Sequence, residues 1–188
     1  MRREQYTRAR RRRLLMTLAA VLAALVVVGG VTAGLLANRA SKPSLSAVQA
    51  YPEQRNHVTG TVDYPQTPPA GGDHNEVLLN CGVYDQPVPP ENAVHDLEHG
   101  AVWITYRPDL PAADVATLRS LVAGKTYLLL SPYPGLPAPV VASAWGKQLR
   151  LTGAADQRLA AFITSYRQSP AAPEPGAPCA GGIGTPGA

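Results

Sequence analysis

Between Leu14 and Ala37 the chain carries no ionisable side chain. An uncharged run of 24 residues is longer than the about 7–15 apolar residues of a cleaved secretory signal, and no clean small-x-small cleavage site follows it. As a helix it would rise about 36 Å, enough to cross a hydrocarbon core of about 30 Å with some tilt. Cysteine is scarce as well. Cys81 and Cys179 are the only two, they form no CxxC, and neither opens the helix expected at residues 111–124. Dithiol oxidoreduction of the usual motif-borne kind is thereby excluded. Glycine-rich phosphate loops, GxSxG elbows and internal repeats are absent too, so those motif-borne chemistries and repeat architectures find no support.

A basic surplus is missing where a nucleic-acid reading would need it. The net charge of +4 is concentrated in the first 13 residues, where seven arginines and Glu4 leave +6. Residues 38–188 hold ten Lys/Arg against twelve Asp/Glu, a net of −2. The arginines (Arg2, Arg3, Arg8 and Arg10 to Arg13) precede the apolar run, and only Arg39 and Lys42 follow it closely. This asymmetry predicts a cytoplasmic N-terminal tail (1–13), a transmembrane helix (14–37) and an exported remainder. The lipid bilayer is the expected partner, nucleic acid is not, and a protein partner is left unnamed.

The exported part divides into a linker (38–56), a globular domain (57–168) and a Pro/Gly-rich tail (169–188). HVTGTVDY (57–64) alternates like a strand, and VLLNCGVY (77–84) reads as a second one. A short helical turn, AVHDLEH, stops at Gly100. AVWITY (101–106) is apolar, β-branched and aromatic, the pattern of a central strand. Residues 111–124 predict a helix and 126–131 a strand parallel to the preceding one. Residues 139–145 and 148–151 read as a hairpin about Gly146-Lys147, and 154–168 as a final helix. The expected fold is α+β (α/β-like), one small ectodomain with a mixed sheet flanked by helices. Its β-α-β-β-β-α order resembles the core of thioredoxin-like domains.

An even cysteine pair in an oxidising compartment reads first as a disulfide, with metal-bound or free thiols as alternatives. A Cys81–Cys179 bond would tie the tail back and contribute at most about 4–5 kcal/mol in the chain-entropy account. His95 and His99 are four apart and project from one helix face, with Glu98 on its flank. Two imidazoles so spaced can share a metal, and His74 on the glycine-rich loop is the leading third ligand, ahead of Asp73 and Glu91. Imidazole donors suit Cu or Zn.

HDLEH also satisfies the H-x-x-E-H pattern of inverted zinc peptidases. Those enzymes keep it in mid-helix, whereas Gly100 ends this helix at once. The opposing structural reading makes His99 a C-terminal cap before glycine, His95 a partner of Glu98 and His74 a loop residue.

At PPAGGDH (68–74), CGVY (81–84), PVPPENAVHDLEHGAVWITYRPDL (87–110) and SPYPGLPAPVVASAWG (131–146) the chain resembles the bacterial membrane protein family called domain of unknown function 3105. The resemblance spans nearly the whole ectodomain and implies a membrane anchor followed by an extracytoplasmic domain. It carries no activity, but its signature includes the positions of His74, Cys81, His95, Glu98 and His99. Three functions follow as expectations: a Cu- or Zn-binding domain using His74, His95, His99 and Glu98; a non-catalytic envelope interaction module with structural histidines; and a zinc-dependent hydrolase.

Overall fold

Five consecutive buried residues, β3 (Val102–Tyr106), form the middle of a six-stranded mixed sheet. The computed structural model describes residues 2–40 and 43–187. Lys42, Ala188 and the side chains of residues 2–10, 12 and 36–40 lie outside the described residues. The chain divides into two units, Met1–Lys42 and Pro43–Ala188.

The first unit is one helix, α1 (Arg2–Ala40), whose Arg13–Leu35 stretch has a mean hydropathy of 2.6 and no buried part. By length and composition it suffices to cross a membrane. The two threonines of the Arg13–Leu35 stretch do not leave their hydroxyls unpaired. Thr17 Oγ1 donates to Leu14 O at 2.8 Å and Thr32 Oγ1 to Val28 O at 2.9 Å, returning each polar atom to the helix backbone.

In the second unit the elements after α1 are β1 (Gln49–Ala50), β2 (Gly82–Val83), α2 (Pro90–Glu98) and β3. There follow α3 (Ala112–Val122), β4 (Leu128–Pro132), β5 (Val140–Ala144), β6 (Lys147–Leu151) and α4 (Arg158–Tyr166). The strand order is β1-β6-β5-β3-β4-β2. β3 pairs in parallel with β4 and antiparallel with β5, and β5 with β6 forms the expected hairpin. This is the α+β fold read from the sequence.

Because side chains alternate across a strand, the sheet has two different faces. Val102, Ile104 and Tyr106 pack with Leu118 and Val122 of α3 and Leu159 and Phe162 of α4. Trp103 points the other way, against Ala93 and Leu97 of α2 and Leu79. The indole N–H of Trp103 donates to Ser131 Oγ at 3.0 Å, which satisfies the one polar atom of a fully buried ring. The second face therefore carries α2, the helix with the histidines.

Three local expectations change. Residues 57–64 form no strand. Val62 N–H donates to Glu91 Oε1 and Tyr64 O–H to Asp73 O, so this loop's bonds go to its neighbours; His57 alone makes a bridge, to His74. Of 77–84 only Gly82–Val83 is strand, because the residues before it pair with the C-terminal tail: Asn80 N–H donates to Ile183 O and Ile183 N–H to Leu78 O. The last helix starts at Arg158, since Asp156 bends the chain by accepting from Thr152 N–H and Arg158 N–H. Within the stretch expected as a linker, β1 pairs with β6, and Leu45 and Val48 lie against the core.

Phe162 is fully buried between α4 and the sheet. Phe162→Ala should cost about 3–5 kcal/mol in urea unfolding of the detergent-solubilised chain. A loss under about 1 kcal/mol would contradict this packing.

Candidate metal centre

Helix α2 is short by construction. Pro90 sits in the first turn, where its missing N–H costs no bond, and Glu91 follows where the helix dipole favours an acid. At the other end Gly100 has φ 94°, a left-handed conformation that favours glycine. Gly100 N–H donates to Leu97 O and Ala101 N–H to Asp96 O, the paired bonds of a Schellman stop. A Cβ at Gly100 would also lie 3.0 Å from Gln168 Cα, so the position is closed twice. The H-x-x-E-H stretch consequently lies at a helix end, with His99 as the C-cap.

Into the space beside that end come all four histidines of the chain. His95 is central: its ring centroid lies 4.5 Å from His99, 5.1 Å from His74 and 5.2 Å from His57. His74 is fully buried, Glu98, His95 and His99 nearly so, while the His57 side chain is 51% exposed and forms the outer edge. His95 Nε2 and His99 Nε2 are 3.0 Å apart. Glu98 Oε2 is 3.0 Å from His74 Nε2 and 3.8 Å from His57 Nε2. Glu174 of the tail lies 3.7 Å from His99 Nε2. Donor atoms of His57, His74 and His95, and again of His95, Glu98 and His99, fall within 4.8 Å of one another.

The other ring nitrogens are equally informative. His74 Nδ1 is 2.8 Å from Gly72 O, His95 Nδ1 2.7 Å from Asn75 O, and His99 Nδ1 2.6 Å from Pro178 O. A carbonyl oxygen only accepts, so each Nδ1 carries a hydrogen and, in the neutral ring, each Nε2 presents a bare lone pair. Carbonyls in this role fix the tautomer and aim the ring, as the outer partners of metal-bound histidines do. Burial also pulls the His95 pKa below its ordinary 6.5, against a smaller opposing effect of the Asn75 carbonyl, and so favours the neutral ring.

Sequence reasoning placed His74, His95, His99 and Glu98 together, and the structure brings all four into one cluster. Asp73 and Glu91 are occupied elsewhere: Asp73 Oδ1 accepts from Asn56, and Glu91 Oε1 from Val62 N–H. His57 was not foreseen, because its stretch read as an ordinary alternating strand. The one available signal was rarity, since the chain has only four histidines. Glu174 lies between Pro173 and Pro175 in the tail, where no local pattern points to the cluster. Cys81 and Cys179 are joined in a disulfide with Cα atoms 5.4 Å apart.

A mixed-sheet α+β domain with a buried histidine cluster beneath a disulfide-tied tail is thus the class of protein defined. The chain belongs to the family described as protein of unknown function (DUF3105), whose model matches residues 57–181. No curated protein and no solved structure matches it.

One more ionisable group lies on α2. Asp96 is fully buried, and neither carboxyl oxygen has a hydrogen-bond partner. Burial pushes its pKa up to about 9; the Leu79 N–H pulls weakly the other way without reaching hydrogen-bond geometry. The unfolded chain therefore releases this proton above its ordinary 3.8, whereas the folded chain keeps it up to about 9. Folding stability is fully present below the lower value and falls as pH rises through that window. Asp96→Asn removes the fall, so its advantage over the parent should grow by at least about 2 kcal/mol between pH 4.5 and 8. Denaturant unfolding of both chains with chelator present reads this directly, and a pH-independent difference would contradict it.

Proposed function

We propose that this is a single-pass membrane protein whose exported domain binds a transition-metal ion, Cu(II) or Zn(II), through His74, His95 and His99. Glu98 serves as a fourth ligand beside His74, and His57 stands at the entrance. The observation that carries the reading is the pair of Nε2 atoms of His95 and His99, 3.0 Å apart with both Nδ1 atoms committed to carbonyls. Two neutral rings so arranged point lone pair at lone pair, an arrangement that only a cation between them relieves. Metal–nitrogen bonds of about 2.0–2.1 Å bring ligand nitrogens to about 3–4 Å of each other, which this spacing matches. The neutral imidazoles and the carboxylate suit Cu and Zn.

Without metal, the cation is a proton, and the cluster is then a buried imidazolium–carboxylate network. The His74–Glu98 contact of 3.0 Å favours that second reading, in which the histidines are structural and the domain is an envelope interaction module. The two differ in one measurement. Full-length protein purified in detergent from Cu- or Zn-supplemented medium should hold close to one metal per chain by elemental analysis. His95→Ala/His99→Ala should lower that content by about tenfold or more. Cu(II) should also quench the fluorescence of Trp145, whose ring lies 5.8 Å from that of His74. Binding should weaken as pH falls, because protons compete with the metal for the imidazole lone pairs. Wild-type protein that takes up neither metal overturns the metal reading.

The placement in the membrane is supported by the seven arginines before the apolar helix. We expect an anchor in the bacterial cell membrane with the N-terminus inside and the domain outside. Protease added to intact cells should remove the domain and spare the first residues; a protected domain would reverse the orientation.

A further inference from the structure

We infer that Cys81 and Cys179, once reduced, form with Asp96 a second metal site that exists only in the dithiol state. This site is separate from the histidine cluster, and its donors are two thiolates and one carboxylate. Its geometry is already present. The two sulfurs and a carboxyl oxygen of Asp96 all lie within 4.8 Å of one another. Asp96 is fully buried and has no hydrogen-bond partner, a costly arrangement that a merely structural disulfide does not require. An apolar side chain would fill the same place without that desolvation penalty.

The two cysteines are held side by side by more than their bond. Cys81 N–H donates to Cys179 O at 2.9 Å. On the same stretch Asn80 Nδ2 donates to Gly184 O, and Gly181 N–H and Gly182 N–H both donate to Asn80 Oδ1. Gly187 N–H donates to Val83 O. These bonds keep the backbones paired when the sulfurs part. Metal–sulfur bonds of about 2.3 Å hold two thiolates about 3.8 Å apart on a tetrahedral ion, a separation that small side-chain rotations supply. Both cysteines are half-buried and border a groove of about 430 Å³ between the tail and the α3–β4 connection. The groove gives a reductant and a cation access from outside.

The chemistry balances with a dithiol as the electron donor. The dithiol passes two electrons and two protons to the sulfur–sulfur bond and becomes a disulfide itself. The incoming cation then displaces the two thiol protons and any carboxyl proton, which pass to the solvent. Thiolates select soft or borderline ions, so Zn(II) and Cu(I) are the expected occupants.

Co(II) tests this because thiolate–cobalt bonds give a near-ultraviolet charge-transfer band that imidazole and carboxylate ligands do not. The full chain in detergent is titrated with Co(II) as purified, and again after phosphine reduction and anaerobic desalting. The band should be absent from the oxidised chain and should appear and saturate in the reduced one. Cys81→Ser should abolish it, and Asp96→Asn should weaken the binding it reports by about tenfold or more. The band reports sulfur alone, so the outcome is independent of whether the histidine cluster holds metal. A reduced chain without the band overturns the proposal. So does a band of equal affinity in Asp96→Asn, which is also what an unfolded reduced chain, recognised by circular dichroism, would give.

Discussion

Three backbone carbonyls, those of Gly72, Asn75 and Pro178, each take the Nδ1 hydrogen of one imidazole, and the character of the histidine cluster follows from those bonds. With Nδ1 occupied, a histidine can turn only its Nε2 inward, and it can turn it only as a lone pair unless a second proton is added. The carbonyls come from three separate places: a buried glycine-rich loop, the segment just after it, and the C-terminal tail. Gly72 is part of the reason the first of these works. Its φ of 113° and the Tyr64 ring, 3.3 Å from where a Cβ would stand, leave room for little but glycine.

Helix α2 distributes this chemistry through its periodicity. Ala93 and Leu97 are four apart and bind the helix to Trp103 and the sheet. His95 and His99, also four apart, face the cluster together with Glu98. Asp96 is left to face the disulfide. Nine residues thus serve a core, a polar cluster and a cysteine pair at once, and an abrupt C-terminal stop is part of the arrangement. One more turn of helix would take the His99 carbonyl from Gly176 N–H and remove the start of β3.

What the sequence made legible was local and periodic. AVWITY, the 111–124 helix and the hairpin about Gly146 announced themselves through branched apolar runs and glycine or proline punctuation. His95, Glu98 and His99 were legible because helical spacing alone places them together. What stayed hidden was set by partners distant in the chain. The stretch 57–64 alternates correctly for a strand, yet its donors are taken by Glu91 and its neighbours, and no local pattern records that. His57 was lost with it. Residues 78–80 pair with a tail about a hundred positions away, and that pairing shortens the expected strand to two residues.

The tail consequently completes the site as well as covering it. Glu174 N–H donates to Glu98 O and Gly176 N–H to His99 O, so the tail fastens to the carbonyls exposed at the end of α2. Two residues on, Pro178 supplies the carbonyl that orients His99, and the next residue, Cys179, bonds to Cys81. The third imidazole therefore faces inward only when residues separated by 79 positions have met. A cluster with that requirement does not exist in the unfolded chain. Any affinity it has for a cation is then also stability for the folded tail, and the two cannot be separated thermodynamically.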